Sequence, residues 1–425
     1  MSMKRAIRKL PILILLMLTL MSLLPPRVHA QIQASFFGMG VNAARDLPKV
    51  SYGISSHPPL AWSLVEGTAR GVYAFSKLDP YVNAAPKDAN GVAQIDIVLG
   101  WTPGWAVAVK TNCRMQEPIN VQICTVPPDN LQDWTDFVSA VAAHYNGVNA
   151  PEVRYYEIWC EANTRPFWTS SVAALVQMAQ LAYPILKQNP HALVFTPSVT
   201  WTGGQNWMTN FLSGGGSAVA DGVSFHGYPS QTGKGVKLPI PLPGSPSSTN
   251  APIQAMAHQF RVIANANGMA GKPLITTEGG WGVGGVLDPD MQAAWIAQYE
   301  ILQAGVARAY NLQFQTWFTW GHAPSGTIET TQGTPTEAGW AYNEVTQWLT
   351  GTMPTPCSNS GNIWSCPVGS NLVVWDASQI CNLGVCTTSL YTAPSGFVQY
   401  VDLTGKTNTI AGQIALGVKP ILLQP

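Results

Sequence analysis

Short apolar runs alternate with longer amphipathic stretches between about residue 150 and residue 350. The runs are five to nine residues long, as buried β-strands are, and the stretches between them repeat apolar residues every three or four positions, as helices do. The runs are residues 153–159, 193–197, 222–228, 273–277 and 312–320, and the helical stretches are 171–188, 252–267, 289–306 and 336–349. This alternation predicts βα units that build a parallel sheet.

The first 150 residues contain the same units in a weaker form. Strands are predicted at 35–41, 51–55 and 95–100, a helix begins near residue 131, and a less regular helical segment lies within 60–85. The two halves together give eight strands over about 320 residues, or about 40 residues per unit. We therefore predict a (β/α)8 TIM barrel, whose active residues lie at the carboxyl ends of the strands.

The helical periodicity disappears after residue 351. Strand-like runs at 372–375, 397–403, 413–416 and 421–423 are separated by Gly, Pro, Asn and Cys. This pattern predicts a small C-terminal antiparallel β-sandwich domain over residues 351–425, behind a barrel over residues 31–350. A Pro-, Gly- and Ser-rich stretch at 233–250 is predicted to be a long loop of the barrel.

The amino terminus has the features of a secretory signal peptide over residues 1–30. Four basic residues precede an apolar run from residue 10 to residue 24, and small residues occupy the cleavage positions at Val28 and Ala30. Its removal takes five basic residues and no acid from 22 of each, so 17 basic and 22 acidic residues remain, a net charge of −5. That charge argues against nucleic acid or a membrane surface as a partner. We expect a secreted protein, extracellular or periplasmic, that is a monomer.

Six of the seven cysteines form close pairs in the sequence. The pairs are Cys113/Cys124, Cys357/Cys366 and Cys381/Cys386, and Cys160 is left over. In an exported protein such pairs suggest three local disulfides, although six cysteines allow fifteen pairings. Cys160 is predicted to be a buried structural thiol.

Two glutamates directly follow strand-like runs. Glu161 and Glu278 are 117 residues apart, close to three units, which places them at the ends of strands four and seven across the barrel mouth. Glycoside hydrolysis requires two such carboxyl groups, one to protonate the leaving oxygen and one to attack or to activate water. The alternative for each is a helix cap or an ion pair. Glu157, inside strand four, is predicted to be a buried structural acid paired with an arginine.

Aromatic side chains gather at the predicted strand ends, where they could pack against sugar rings. Trp101 follows strand three, His226 and Tyr228 end strand six, Trp281 follows strand seven, and Trp320 ends strand eight. Large barrels also bury aromatics, so we expect about half of the strand-end aromatics to be core residues. Trp281 and Trp320 are the strongest predicted sugar contacts.

In these segments the chain resembles the retaining glycoside hydrolases of clan A, and most of all glycoside hydrolase family 39. The resemblance covers most of residues 35–350 and implies Glu161 as general acid/base, Glu278 as nucleophile, and His226 and Tyr228 near the nucleophile. It implies a secreted glycosidase that cleaves poly- or oligosaccharides by double displacement, with a bell-shaped pH–rate profile because Glu161 must be protonated and Glu278 ionised. The similar segments are 36–41, 102–106, 156–163, 167–168, 221–229 and 277–279.

The chain departs from the family pattern beside the predicted general acid. The family has an asparagine there that hydrogen-bonds the sugar 2-hydroxyl, and this chain has Cys160, whose thiol is a weak donor. Cys160 and Asn163 are both predicted to line the sugar site; Ala162 replaces a usual proline, and residues 54–57 lack an arginine often found there. Because of Cys160, a non-hydrolytic carbohydrate-binding barrel stays an alternative. A transglycosylase, which uses the same two acids, is another.

No motif in the sequence indicates a cofactor or a metal. Residues 38–43 fit a loose dinucleotide fingerprint, but Pro48 and Gly53 follow where a helix should begin. The sequence has no His-Glu-x-x-His motif, no metal-type cysteine spacing and no Gly-x-Ser-x-Gly motif. The predicted partner is therefore a carbohydrate, with no cofactor and no metal.

Overall fold

The fold is known from a computed structural model that describes residues 31–44, 46–56, 61–117, 119–228, 252–280, 288–321 and 333–425. The predicted signal peptide, the predicted loop at 233–250 and Trp281 lie outside these residues. No helix within the described ranges has both the length and the apolar character needed to cross a bilayer.

Eight parallel strands form one sheet in the order β5-β4-β3-β2-β1-β8-β7-β6. An isolated parallel bridge from Phe195 to Gly222 joins the two ends of this order, so the sheet curls into a barrel. The (β/α)8 barrel predicted from the sequence is confirmed. Its strands are β1 Phe37–Val41, β2 Ile54–Ser56, β3 Ala93–Val98, β4 Val153–Glu157, β5 Leu193–Phe195, β6 Val223–Gly227, β7 Leu274–Gly279 and β8 Leu312–Trp320.

Helices connect the strands from β2 onward. Local signals set several starts: Asp288 caps α7 by accepting from two backbone N–H groups, and Pro289 occupies the first turn. Five helices lie where the periodicity predicts them, whereas α5 was not predicted. The helices are α1 Ala61–Glu66, α2 Asp79–Ala84, α3 Leu131–His144, α4 Val172–Leu186, α5 Trp201–Ser213, α6 Pro252–Ala266, α7 Pro289–Tyr310 and α8 Glu337–Leu349.

The barrel interior changes from apolar to polar along the strands. Ile54, Ile275 and Phe314, near the amino ends of β2, β7 and β8, pack with Phe195 as one buried cluster. Because every second residue of a strand faces the same side, the next inward-facing residues on β4, β6 and β7 are Glu157, Ser224 and Thr277. The polar layer therefore lies above the apolar one, toward the carboxyl ends of the strands.

The last 68 residues form antiparallel sheets, as predicted. A six-stranded sheet has the order β9-β10-β11-β18-β15-β16, and two further pairs are β12-β13 and β14-β17. The strands are β9 Ser358–Ser360, β10 Ile363–Val368, β11 Asn371–Asp376, β12 Cys381–Asn382, β13 Val385–Cys386, β14 Ser389–Tyr391, β15 Gln399–Val401, β16 Thr407–Thr409, β17 Ile414–Leu416 and β18 Ile421–Gln424.

Successive residues of β11 face opposite sides of the sheet, and one of these sides packs against the barrel. Val373 and Trp375 belong to the cluster that includes the barrel helices, whereas Val374 packs with Ile414 and Leu416 on the other face. The division at residue 350 stays a prediction. Three disulfides, Cys113–Cys124, Cys357–Cys366 and Cys381–Cys386, confirm the predicted pairing, and Cys160 is a free, buried thiol.

Candidate active site

One imidazole joins the two predicted glutamates. His226, on β6, places Nδ1 2.9 Å from Glu161 Oε1 and 3.4 Å from Glu278 Oε2. Glu161 Oε1 and Glu278 Oε2 are therefore at most 6.3 Å apart. The carboxyl ends of β4, β6 and β7 therefore bring two acids and one base into a single cluster.

Glu161 sits in a turn that has an unusual backbone conformation. Its φ is +40°, in the left-handed region that side chains other than glycine rarely adopt. Ser198, just beyond β5, supports the turn: its Oγ accepts from Glu161 N at 3.1 Å and its carbonyl accepts from Ala162 N at 3.1 Å. Such a conformation costs roughly 1 to 3 kcal/mol and persists where the surroundings impose it, often at functional sites.

Glu278 has a second partner in Tyr228, whose hydroxyl donates to Glu278 Oε2 at 3.0 Å. Burial raises the pKa of Glu278 to about 7, and the charge of Glu161 adds to the rise, whereas His226 and the Tyr228 hydrogen bond oppose it. The sequence assigned a raised pKa to Glu161 and an ionised state to Glu278. Burial raises the pKa of Glu278 even though the two glutamate side chains are equally exposed, at 16%, and the assignment of acid and nucleophile stays a prediction.

His226 is a cation in this cluster at neutral pH. Burial lowers its pKa, but attraction to Glu278, Glu161 and Glu157 outweighs burial and raises the pKa to about 9. A buried imidazolium between two carboxylates is stabilised by both of them. The proton on Nδ1 is therefore held where either carboxylate can receive it.

A second pair of acids lies deeper in the barrel. Glu157 accepts from Ser224 Oγ at 2.6 Å, from Thr277 Oγ1 at 2.8 Å and from Ser198 N at 3.3 Å. The predicted arginine partner was wrong, since no ion pair of Glu157 occurs among the described residues. Three neutral donors satisfy this carboxylate without a second buried charge.

Asp96, on β3, completes the deeper pair. It is fully buried, and neither of its carboxyl oxygens has a hydrogen-bond partner within the described part of the chain. Burial and the charge of Glu157 raise its pKa well above the usual range of an aspartate. The direction of this shift favours the protonated form of Asp96.

The other predicted sugar contacts are mostly enclosed. Trp101 is 5% exposed and packs on Phe167 with ring centres 5.2 Å apart, and Trp320 is 1% exposed. Asn163 uses both ends of its amide on Thr200, donating to the hydroxyl at 2.8 Å and accepting from the backbone N–H at 2.9 Å. These three side chains therefore make contacts within the protein at the strand ends. Their contact with sugar stays a prediction.

Cys160 lies with the catalytic candidates. One ligand atom each from Cys160, His226 and Glu278 lie within 4.8 Å of one another, and the thiol is 2% exposed. Burial, together with the charges of Glu278, Glu161 and Glu157, raises the pKa of the thiol well above its usual range. A neutral thiol is the expected resting state, as the sequence suggested.

Sequence reasoning missed Ser198, Ser224, Thr277 and Asp96. Ser224 and Thr277 are buried polar residues within β6 and β7, and Ser198 follows the run at 193–197 by one residue. A count of inward-facing polar positions would have identified the first two. Nothing in the local sequence indicates that Asp96 and Glu157 share one interior.

Comparisons with known proteins agree with this fold. No protein-family model matches the sequence, and no curated protein matches it. Among solved structures, a family 39 glycoside hydrolase from Bacteroides cellulosilyticus WH2 gives a TM-score of 0.65 over 94% of this chain and 82% of its own, at 18% identity. A monomeric beta-xylosidase from Caulobacter crescentus CB15 gives 0.62 over 93% and 97%, at 16% identity.

A glycoside hydrolase family 39 enzyme from Xanthomonas axonopodis pv. citri gives a TM-score of 0.59 over 92% of this chain and 94% of its own, at 14% identity. At these identities the likeness is one of fold. The resemblance to family 39 that the sequence motifs indicate is confirmed at that level.

Proposed function

We propose that the protein is a secreted retaining glycoside hydrolase that cleaves O-glycosidic bonds of an oligo- or polysaccharide. The observation that carries the proposal is the placement of Glu161 and Glu278 after β4 and in β7, with the His226 Nδ1 between their carboxyl groups. The fold shared with family 39 glycosidases supports it, and so do three disulfides, which suit an exported protein.

The spacing of the two acids supports retention of configuration. Retaining enzymes hold the two carboxyl groups about 5 to 5.5 Å apart, and inverting enzymes hold them about 6.5 to 9.5 Å apart to admit a water. One oxygen of Glu161 and one of Glu278 lie at most 6.3 Å apart, which is compatible with the closer, retaining arrangement. Double displacement is therefore the mechanism that we assign.

In the first step Glu278 attacks the anomeric carbon, and Glu161 gives a proton to the leaving oxygen as the glycosidic bond breaks. In the second step Glu161 takes a proton from water, and the resulting hydroxide cleaves the glycosyl ester and restores the Glu278 carboxylate. The sugar thus leaves with its original anomeric configuration.

His226 supplies the proton that the first step needs. Its raised pKa depends on the negative charge of both glutamates, and that of Glu278 disappears as the ester forms. The pKa of His226 then falls, so its Nδ1 proton passes to Glu161, 2.9 Å away, and on to the leaving oxygen. When the second step restores the Glu278 carboxylate, the proton that Glu161 took from water returns to His226. Tyr228 donates to Glu278 and orients the attacking carboxylate.

Product analysis tests this proposal. The protein is incubated with a panel of plant and bacterial polysaccharides and aryl glycosides, products are identified by mass spectrometry, and the first anomer released is read by proton NMR. We expect cleavage with retention. Cleavage with inversion, binding without cleavage, or transfer to sugars without release to water would overturn the proposal, and the last two outcomes would favour the binding-protein and transglycosylase alternatives.

A further inference from the structure

We infer that Cys160, His226 and Glu278 form a binding site for a zinc-like divalent cation, and that the cation inhibits the enzyme by occupying its catalytic centre. The inference rests on the geometry of three side chains from different segments of the barrel. Its inhibitory part rests on the proposed function, whereas binding of the cation does not.

The three groups offer the donor atoms that zinc prefers. Sulfur, imidazole nitrogen and carboxylate oxygen are its usual protein ligands, and three such ligands with one open position are the common arrangement of accessible zinc sites. One donor atom each from Cys160, His226 and Glu278 already lie within 4.8 Å of one another. The set comes from the end of β4, from β6 and from β7, so no short sequence motif indicates it.

Little movement would complete the coordination. Zinc bonds of about 2.0 to 2.3 Å in a tetrahedron bring ligand atoms to roughly 3.3 to 3.8 Å of one another. Contraction by about 1 Å is within reach of side-chain rotation at Cys160 and Glu278. The fourth position would face the side on which Glu161 and Glu278, each 16% exposed at the side chain, reach solvent.

The charges around the site favour a cation. Glu161 and Glu157 both interact electrostatically with Cys160 and His226, so their carboxylates add negative charge beside the three ligands. A bound ion takes Cys160 as the thiolate and His226 as the neutral imidazole, so the thiol proton and one imidazolium proton leave to solvent on binding. A hard ion such as Mg²⁺, which prefers six oxygen ligands, does not suit this set.

Occupation of the site would block the proposed reaction. The ion would bind the carboxylate of Glu278 that attacks the sugar, and it would hold the imidazole of His226, whose Nδ1 otherwise lies beside Glu161. Both the nucleophile and the proton source would be withdrawn together. The inhibition would be reversible, because a chelator can remove the ion.

The test is a titration of the protein with Co²⁺ and with Zn²⁺. Co²⁺ bound to a thiolate gives a charge-transfer absorption band in the near ultraviolet, which reports sulfur coordination directly. We expect one equivalent to bind with this band. Cys160→Ser should abolish the band and weaken Zn²⁺ binding by more than about 100-fold, because loss of even an outer-shell partner costs 10- to 100-fold. His191→Ala, at an exposed histidine, is the matched control and should change neither.

The outcomes separate this inference from the proposed function. Absence of the band in the unmodified protein overturns the metal site, whatever Cys160→Ser does to folding, and so does equal Zn²⁺ affinity in the two proteins. If a substrate is cleaved, Zn²⁺ should abolish turnover, a chelator should restore it, and Mg²⁺ should have no effect. Zn²⁺ binding at Cys160 without loss of turnover would overturn the inhibitory role. A band in a protein that cleaves nothing would support the metal site and count against the glycosidase.

Discussion

Among the described residues the barrel holds two pairs of acids at two depths, and only the upper pair has a basic side chain within ion-pair distance. The upper pair, Glu161 and Glu278, shares the imidazole of His226. The lower pair, Asp96 and Glu157, has hydroxyl partners at Glu157 and, within the described residues, none at Asp96. The cation in the upper pair favours ionised carboxyls, whereas burial in the lower pair favours a proton on Asp96. In the proposed mechanism the upper pair of acids carries the chemistry, and the lower pair belongs to the buried interior of the barrel.

The largest effect should follow from loss of the nucleophile. Glu278→Gln keeps the shape of the side chain but cannot form the ester, so kcat should fall by about 10⁴-fold or more, as it does when other covalent nucleophiles are removed. Steady-state kinetics on an aryl glycoside measures the loss. Glu117→Gln, the same change at an exposed acid, should leave kcat within about twofold of the parent. Equal activity in Glu278→Gln would remove this residue from the mechanism.

Loss of the shared cation should come next. His226→Gln removes the proton source and a charge that stabilises the transition state, so kcat should fall by about 10² to 10³. The pKa of Glu278 should rise above about 7, because the charge that opposes its burial is gone. The acid limb of the pH–rate profile should move to higher pH, since Glu278 must be ionised to attack. A merely structural histidine would lower kcat and leave that limb in place.

A smaller change of the same sign is expected at Tyr228. Tyr228→Phe deletes one hydrogen bond to an ionised group, which contributes about 1.5 to 3 kcal/mol, so kcat/KM should fall by roughly 10- to 100-fold. In the unmodified protein the acid limb should lie near pH 7, where Glu278 ionises. In the variant it should move upward, but less than in His226→Gln. A pH titration of kcat/KM for both variants checks this order.

The smallest effect concerns stability in the lower pair. Asp96 keeps a proton in the folded state that the unfolded chain releases above pH 4, so its contribution to stability falls as pH rises, by up to about 1.4 kcal/mol per pH unit. Asp96→Asn removes this dependence. The thermal unfolding midpoint of the variant, relative to that of the parent, should therefore be higher at pH 8 than at pH 5. An equal difference at both values would mean that Asp96 does not titrate in this way.

The regular spacing of apolar residues made most of the fold predictable. The elements that were not predicted are those in which this spacing is weak. The helices from α3 onward repeat apolar positions clearly, but α5 contains the pair Gly203-Gly204, which weakens a helix locally, and packing on the barrel overrides that weakness. A three-stranded antiparallel sheet of Thr102–Pro103, Val121–Cys124 and Cys113–Gln116 lies in the connection from β3 to α3. Its register, such as Pro103 and Arg114 both opposite Ile123, is not revealed by local patterns.

The site was predictable where it depended on strand ends. Glu161, Glu278, His226 and Tyr228 were identified from their position after strands, and the structure brings them together. The partners of Glu157 were not predictable, because Ser224 and Thr277 are 67 and 120 residues away along the chain. The enclosure of Trp320 also depends on contacts across the molecule.

In the proposed mechanism Glu278 forms a covalent bond to the sugar. In Glu161→Gln, an aryl glycoside with a good leaving group needs no acid for the first step, whereas the second step loses its base, so the glycosyl ester should accumulate. Intact-protein mass spectrometry should show a gain of one glycosyl unit, and peptide mapping should place it on Glu278. An adduct on Cys160 or Glu157, or turnover in which no adduct forms and the anomeric configuration is inverted, would contradict the account.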